Sequence, residues 1–152
     1  MVIVLDTFPL SSVTKLPTNK ITLSDQCRKW VNDCEAAGHR MVVPAVSYYE
    51  VLRELELNQA KIQIEILKNF CFNSNRFLLL TTEHLEKASK LWAEARRFGY
   101  ATADPKSLDC DVILAAQALS LGSSAPDLIV ATTNPSHISR YVSSDLWANI
   151  HP

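Results

Sequence analysis

The sequence predicts an α/β protein: a three-layer α/β/α sandwich with a mostly parallel central sheet. Short apolar runs typical of buried strands, at residues 1–5, 41–43 and 128–130, alternate with longer stretches in which apolar residues recur at helical spacing. A helix between two strands covers a face of the sheet and lets the strands run parallel. The chain has 152 residues, 47% hydrophobic and 20% charged, which is ordinary for one globular domain. We therefore expect a single domain over residues 1–152.

The first half of the chain is predicted to alternate strands and helices because the spacing of its apolar residues changes repeatedly. Ser24 or Asp25 can cap the first long helix, and Gly38 suits its end. In order, the predicted elements are a strand at residues 1–5 that stops at Asp6, a polar surface excursion with room for a short helix at 9–22, a helix ending at Gly38, a strand at 41–43, a helix from Pro44 to about residue 58 and a helix at roughly residues 60–72.

The second half continues the same alternation. Thr82 is expected to cap an amphipathic helix whose apolar face runs from Leu85 to Phe98 and which Gly99 terminates. The next helix is almost entirely apolar, so we expect it to be buried on most sides. In order, the predicted elements are a strand at residues 77–80, the amphipathic helix, a loop with Asp104–Pro105, the apolar helix from Leu108 to Leu121, a core strand at 128–130, a short helix at 137–141 and an edge strand around 146–148.

Charge and cysteine content limit the possible partners and the compartment. A formal net charge of −1 gives no overall basic field, so an anionic polymer would have to be held by local basic patches and bound metal. The cysteines are widely spread without a C-x-x-C pair, which favours reduced core thiols in a cytoplasmic protein over disulfides or zinc. The longest apolar runs are too short for a membrane span, so no membrane partner is expected. The four cysteines are Cys27, Cys34, Cys71 and Cys110.

Four side chains with oxygen atoms follow predicted strands directly or lie on the helices after them. They are Asp6, Glu50, Asp111 and Asn134. In alternating β/α proteins, ligands bind outside the carboxyl ends of the strands, so these groups can converge although they are distant in sequence. Three carboxylates and an amide at one edge would form a site for a hard cation such as Mg²⁺ or Mn²⁺.

Each of the four also has an ordinary structural explanation. Asp6 can cap the following segment or start a turn, Glu50 can be a solvated surface acid, and Asn134 precedes a proline in a typical turn dipeptide. At the start of the apolar helix the simplest division makes Asp109 the N-cap and Asp111 the inward ligand, although the reverse assignment also fits. Asp127 precedes its strand, so it is expected at the opposite edge of the sheet and is excluded.

The pattern favours metal-assisted phosphoryl chemistry over covalent catalysis. A divalent cation held by carboxylates can polarise a phosphate and activate a bound water. The sequence has neither a G-x-S-x-G motif nor a cysteine near a histidine, and its four histidines are scattered. A phosphatase with Asp6 as nucleophile would need a second Asp two residues later, where the chain has Phe8.

The chain resembles PIN-domain proteins of the kind found as VapC-type toxins. The resemblance rests on four motifs in order: Val2–Thr7 as an opening strand ending in Asp, Pro44–Glu50 as a proline-led helix carrying an acid, Asp111–Ala118 as an Asp leading an apolar, alanine-rich helix, and Val130–Asn134 as a last strand ending in Thr and then Asn. Together they extend over nearly the whole chain. The resemblance implies a Mg²⁺- or Mn²⁺-dependent endoribonuclease that acts on RNA, often the toxin of a toxin–antitoxin pair with an antitoxin partner, and often a homodimer.

Carried over by position, the resemblance makes Asp6, Glu50 and Asp111 metal ligands, with Asn134 in the fourth catalytic position and Thr7 as a polar helper. The chain departs from the pattern in its amide at Asn134 and in a long polar segment at residues 10–24 without obvious basic residues near Asp6. A catalytically weak or inactive PIN-like module for RNA or protein binding is therefore the alternative. The cations available for RNA contacts are Arg53, Arg96, Arg97, Lys106 and Arg140.

Overall fold

A parallel sheet runs through the centre of the protein. The structure is a computed structural model that describes residues 1–99, 109–122 and 127–152. Within these residues the strands are β1 (Val2–Leu5), β2 (Arg40–Pro44), β3 (Phe77–Leu78), β4 (Leu128–Thr132) and β5 (Ser144–Leu146). They lie in the order β3-β2-β1-β4-β5, and every pairing is parallel.

Helices cover both faces of this sheet. They are α1 (Thr7–Thr14), α2 (Leu23–Ala36), α3 (Ala45–Leu57), α4 (Lys61–Phe72), α5 (Thr82–Arg97), α6 (Cys110–Ser120) and α7 (Pro135–Ile138), followed by a 3-10 turn at Trp147–Asn149. Successive strand residues point to opposite faces. Ile3 and Leu5 accordingly belong to one buried cluster with α1, α2 and α4, whereas Val4 belongs to a second cluster with α6. The predicted three-layer sandwich is confirmed.

The segment after β1 differs from its prediction. Residues 9–22 were expected to form a surface excursion with room for a short helix. The helix is present as α1, yet it buries Leu10, Ser12 and Thr14 almost completely. The polar residues are tolerated because their hydroxyls are satisfied locally: Ser12 Oγ donates to the Phe8 carbonyl at 3.0 Å and Thr14 Oγ1 to the Ser11 carbonyl at 2.7 Å. Only the part from Lys15 to Thr22 is exposed, as predicted.

The helix starts also differ by a few residues from the predicted caps. Thr22, rather than Ser24 or Asp25, is the N-cap of α2, and Asp25 completes the reciprocal capping box. Thr81, rather than Thr82, precedes α5, and its backbone N–H donates to His84 Nδ1 at 3.0 Å. In each case the N-cap is a Thr that precedes the first residue of the helix, because the capping residue has extended rather than helical backbone angles.

The predicted apolar face of α5 is only partly buried. Ala88 is 4% exposed, but Leu85 is 46% and Phe98 69% exposed. No helix in the described ranges is both long and apolar enough to cross a membrane. The predicted Asp104–Pro105 loop, Lys106 and the expected helix start at Leu108 lie outside the described residues.

Candidate active site

The carboxyl ends of β1, β2 and β4 lie side by side at one edge of the sheet, because these strands are adjacent and parallel. Asp6 follows β1, Glu50 lies on the helix that starts directly after β2, and Thr132 ends β4. Thr7 Oγ1 donates to Glu50 Oε2 at 2.8 Å, and Thr132 Oγ1 donates to Asp6 Oδ2 at 2.6 Å. Three distant parts of the chain are therefore hydrogen-bonded to one another at this edge.

Asp6 is largely enclosed and is held by two donors. Its Oδ1 accepts from the Thr7 backbone N–H at 2.6 Å, which makes Asp6 the N-cap of α1, and its Oδ2 accepts from Thr132. Burial raises the pKa of Asp6 above its ordinary value; the hydrogen bonds from Thr132 and Thr7 oppose this, and the negative charge of Glu50 adds to it. Capping therefore occupies one oxygen of Asp6, and the Thr132 hydroxyl holds the other at the sheet edge.

Glu50 points toward the sheet edge rather than into bulk solvent, with its side chain 20% exposed. One carboxylate oxygen accepts from Thr7 and the other lies 3.5 Å from the Arg53 guanidinium. The Cys110 thiol at the start of α6 is hydrogen-bonded to the same carboxylate. Burial and the negative charge of Glu50 raise the pKa of Cys110 to about 11. Glu50 thus connects α1, α3 and α6.

Asp109 and Asp111 divide two tasks at the start of α6. Asp109 is the N-cap, accepting from the backbone N–H three residues later at 3.4 Å, so the predicted cap is confirmed. Asp111 Oδ2 lies 3.5 Å from His137 Nδ1. Burial raises the pKa of Asp111, the charges of Asp6, Asp109 and Glu50 raise it further, and His137 opposes them. Asp111 is therefore within electrostatic range of both other predicted ligands.

Asn134 is connected to the acidic group through its backbone. It is exposed and precedes α7 without capping it through its side chain. Its side-chain oxygen accepts from Ser136 Oγ at 2.8 Å, and its backbone N–H donates to Thr132 Oγ1 at 3.0 Å. Asn134 therefore reaches Asp6 through Thr132, by its backbone rather than its amide side chain.

The donor set of Asp6, Glu50 and Asp111 suits a hard divalent cation. Carboxylates are the preferred protein ligands of Mg²⁺ and Mn²⁺, and a cation would offset the repulsion that raises the pKa of both aspartates. Among the described residues, no three His, Cys, Asp or Glu side chains lie close enough to ligate one ion as they stand. Each carboxylate is instead turned to a protein partner. The chemistry of the donors fits a cation, but the side chains would have to rotate before all three could ligate the same ion.

Two residues of this group were not predicted to act at the site. Thr132 is fully buried and holds Asp6, and His137 contacts Asp111. Leu5 pairs with Ala131, so the next residues along, Asp6 and Thr132, are neighbours. A threonine at the end of a buried strand is a usable signal only when the strand pairing and register are known.

The predicted cations are distributed unevenly around the site. Arg53 contacts Glu50, and Arg96 stacks on the Trp92 ring with its guanidinium carbon 4.3 Å from the centroid. Arg97 and Arg140 are exposed, at the end of α5 and after α7 respectively. Arg53 on α3 therefore brings positive charge into contact with the acidic group.

Several solved structures have the same fold as this chain. The chain is similar to VapBC2 from Rickettsia felis bound to a DNA fragment from their promoter, with a TM-score of 0.70 and 14% identity over 97% of this chain and 99% of that chain. It is also similar to FitAcB from Neisseria gonorrhoeae, with a TM-score of 0.62 and 17% identity over 97% and 99%. VapBC-1 from nontypeable Haemophilus influenzae gives a TM-score of 0.58 and 17% identity over 98% and 100%.

The family assignment comes from the sequence itself. No individual curated protein matches the chain significantly. The PIN-domain family model, in contrast, matches residues 3–140, a range that contains the three carboxylates, Thr132 and Asn134. The matched range also includes α1 to α7, β2 to β4 and all of β1 except its first residue. The chain therefore belongs to the PIN-domain family.

Proposed function

We propose that this protein is a Mg²⁺- or Mn²⁺-dependent endoribonuclease that hydrolyses RNA phosphodiester bonds with a metal-activated water. One observation carries the proposal: in a PIN fold, the charge of Asp6 is close enough to raise the pKa of Asp111, and the charge of Glu50 raises the pKa of both aspartates. Perturbed carboxylates that cluster at the carboxyl edge of a parallel sheet are typical of functional sites.

The three carboxylates would hold the cation, and the residues around them would fix their positions. When bound, a divalent cation would polarise the phosphate and lower the pKa of a water so that it can attack. Thr132 would orient Asp6, Thr7 would hold Glu50, and His137 would hold Asp111, through the contacts described above.

A covalent route through Cys110 is disfavoured because its thiol is a weak acid. The pKa of Cys110 is about 11, so the thiol stays protonated near neutral pH, and the thiolate is the nucleophilic form. The negative charge of the acidic group also disfavours an anionic protein nucleophile beside it, whereas a neutral water is not repelled. Hydrolysis by water is therefore the reaction that these residues support best.

The proposed biological role is that of a toxin in a toxin–antitoxin pair. The fold neighbours VapBC2, FitAcB and VapBC-1 support a small protein partner, an antitoxin, for this chain. We further propose one PIN-like domain over residues 1–152, a homodimer, and a cytoplasmic location. The last is supported by four free cysteines, of which three are buried.

The test is RNA cleavage by purified protein with Mn²⁺, compared with the same reaction in EDTA. Asp6→Asn and Asp111→Asn should each lose activity, on the order of 10²-fold or more as expected for groups that stabilise transition-state charge. Asp127→Asn is the matched control, because this exposed acid lies before β4 at the opposite edge of the sheet. Cleavage that continues unchanged in both aspartate variants would contradict the proposal.

A second candidate is a catalytically weak or inactive PIN-like module for RNA or protein binding. It is favoured by the position of Asn134, whose amide is engaged by Ser136 outside the acidic group, and by protein partners at every carboxylate. Calorimetric titration with Mn²⁺ separates the two candidates. Saturable binding that Asp6→Asn abolishes supports the nuclease, whereas no binding at millimolar Mn²⁺ supports the inactive module.

A further inference from the structure

We propose that a cleft beside the acidic group binds one unpaired base of the RNA and prefers guanine. This inference rests on the proposed function, because it identifies where the substrate is held. The cleft has a volume of about 230 Å³ and lies between the end of α5 and the segment after α7. Its lining residues are Leu91, Glu94, Ala95, Phe98, Arg140 and Tyr141.

The packing of α5 against α6 places this cleft at the edge of the sheet where the acidic group lies. His84 in the first turn of α5 is hydrogen-bonded to Ser120, the last residue of α6, at 2.7 Å between Nε2 and Oγ. Because the two helices pack together and this bond joins the start of one to the end of the other, they run antiparallel. The carboxyl end of α5, with Phe98, consequently lies toward the amino end of α6, where Asp111 is located.

The segment after α7 independently places the other wall of the cleft near the acids. His137 Nδ1 is 3.5 Å from Asp111 Oδ2, and Tyr141 is four residues later in the chain. Even an extended chain of this length spans only ~14 Å, and a turn shortens it, since the Tyr141 N–H donates to the Ile138 carbonyl at 2.9 Å. A base in the cleft would therefore belong to a nucleotide next to, or close to, the phosphate at the acids.

The walls of the cleft combine the groups that recognise single-stranded RNA. Leu91 and Tyr141 pack on the core cluster and form an apolar floor, whereas Phe98 is 69% exposed beside them. Aromatic faces stack on unpaired bases, and Arg side chains accompany them at the phosphate backbone. Arg140 supplies the cation at the rim.

The carboxylate of Glu94 adds a preference among the bases. A carboxylate accepts hydrogen bonds only, and guanine presents two adjacent N–H donor groups on its Watson–Crick edge. Such a pair of donors can bind one carboxylate in a bidentate way, which the single donor groups of adenine, cytosine and uracil cannot. One acidic acceptor and one guanidinium thus match the donors of guanine and the charge of the adjoining phosphate.

Equilibrium binding of labelled RNA tests the site without any cleavage. The probes are fluorescein-labelled single-stranded uridine decamers with one central guanine, adenine or cytosine, and anisotropy is measured in EDTA. Phe98→Ala should weaken binding roughly five- to hundred-fold, the range that stacking of one base contributes. Glu94→Gln should reduce the preference for the guanine probe while retaining affinity for the others.

Matched controls on the same helix separate the cleft from general surface effects. Leu85→Ala removes an exposed apolar side chain at the far end of α5, and Glu86→Gln removes an exposed acid there. Both should bind RNA like the unaltered protein, and Phe98→Trp should retain the stacking affinity. Loss of guanine binding in Phe98→Ala supports the base site even if no variant cleaves RNA.

Two outcomes would overturn the inference. In the first, Phe98→Ala and Glu94→Gln bind RNA with the same affinity and base preference as the unaltered protein. That result would exclude a base from the cleft and favour a protein segment as its occupant. An equal loss in Leu85→Ala would show that binding is not localised at the end of α5. Folding does not confound either result, because Phe98 and Glu94 are both exposed and circular dichroism can verify each variant.

Discussion

Thr132→Val tests whether the threonine at the end of β4 holds the carboxylate of Asp6. Thr132 is fully buried, and its hydroxyl donates to Asp6 Oδ2 at 2.6 Å while accepting from the Asn134 N–H at 3.0 Å. Valine nearly conserves the shape of threonine and removes the hydroxyl. The substitution therefore removes one hydrogen bond to a charged acceptor and creates almost no cavity.

The expected cost follows from the charge on the acceptor. A hydrogen bond to an ionised group contributes ~1.5–3 kcal/mol, and a neutral one ~0.5–1.5 kcal/mol. The Asn134 N–H adds little, because Asn134 is exposed and water can replace the lost acceptor. Near neutral pH we therefore expect Thr132→Val to lower the free energy of unfolding by ~1.5–3 kcal/mol, or Tm by roughly 3–12 °C for a chain of this size.

The cost should also depend on pH. The hydroxyl of Thr132 favours the ionised form of Asp6, so its removal lets burial raise the pKa of that carboxyl further. As the pH falls through the raised pKa, Asp6 becomes neutral and the bond becomes an ordinary one. The difference between the two proteins should then shrink toward ~1 kcal/mol.

Urea denaturation in EDTA at about pH 7 and about pH 4 measures both effects. Thr14→Val is the matched control, because Thr14 is also buried but donates to a neutral acceptor, the Ser11 carbonyl, at 2.7 Å. Its cost should be ~0.5–1.5 kcal/mol at both pH values. If Thr132→Val costs no more than Thr14→Val near neutral pH, or if its cost does not change with pH, Thr132 does not hold a charged Asp6.

Two further predictions concern the acids and the thiols. The pKa of Asp111 is raised from 3.8, so the folded protein holds this proton more tightly than the unfolded chain, and stability falls as the pH rises through that range. Asp111→Asn should therefore raise the free energy of unfolding near neutral pH in EDTA by about 0.5–1 kcal/mol, a small gain because the side chain is 37% exposed; a lower Tm than that of the unaltered protein would contradict this. Burial raises the pKa of both Cys27 and Cys71 to about 12, so brief iodoacetamide treatment of the native protein should leave them unmodified while denatured protein reacts. Mass spectrometry of the alkylated peptides checks this, and rapid native labelling of Cys27 would show that its burial is wrong.

The fold was predictable from sequence where the apolar residues of a segment are also the ones that the structure buries. β1 is uniformly apolar and α6 nearly so, and their positions therefore followed from hydrophobicity alone. The segment after β1 was not predictable in this way. Its buried Ser12 and Thr14 look like surface residues in the sequence, and only the hydrogen bonds to the preceding turn allow them into the core.

The apolar face of α5 shows the opposite case. Leu85 and Phe98 follow the helical period that normally indicates the core, yet both are exposed. The period shows which residues share a face of a helix, but the neighbouring elements determine how much of that face they cover. In α5 the exposed end of the apolar face borders the cleft with Glu94 and Arg140, which periodicity alone could not distinguish from the core.

The sequence by itself determined the chemistry available at the candidate site. Carboxylates after strands, and a cap supplied by either Asp109 or Asp111, follow from local rules on strand ends and helix starts. The tertiary structure decided how these groups are held: Thr132 on Asp6, Thr7 on Glu50 and His137 on Asp111. These contacts depend on strand order, register and helix packing, and such long-range pairings are set by the burial of the whole chain rather than by any local run of residues.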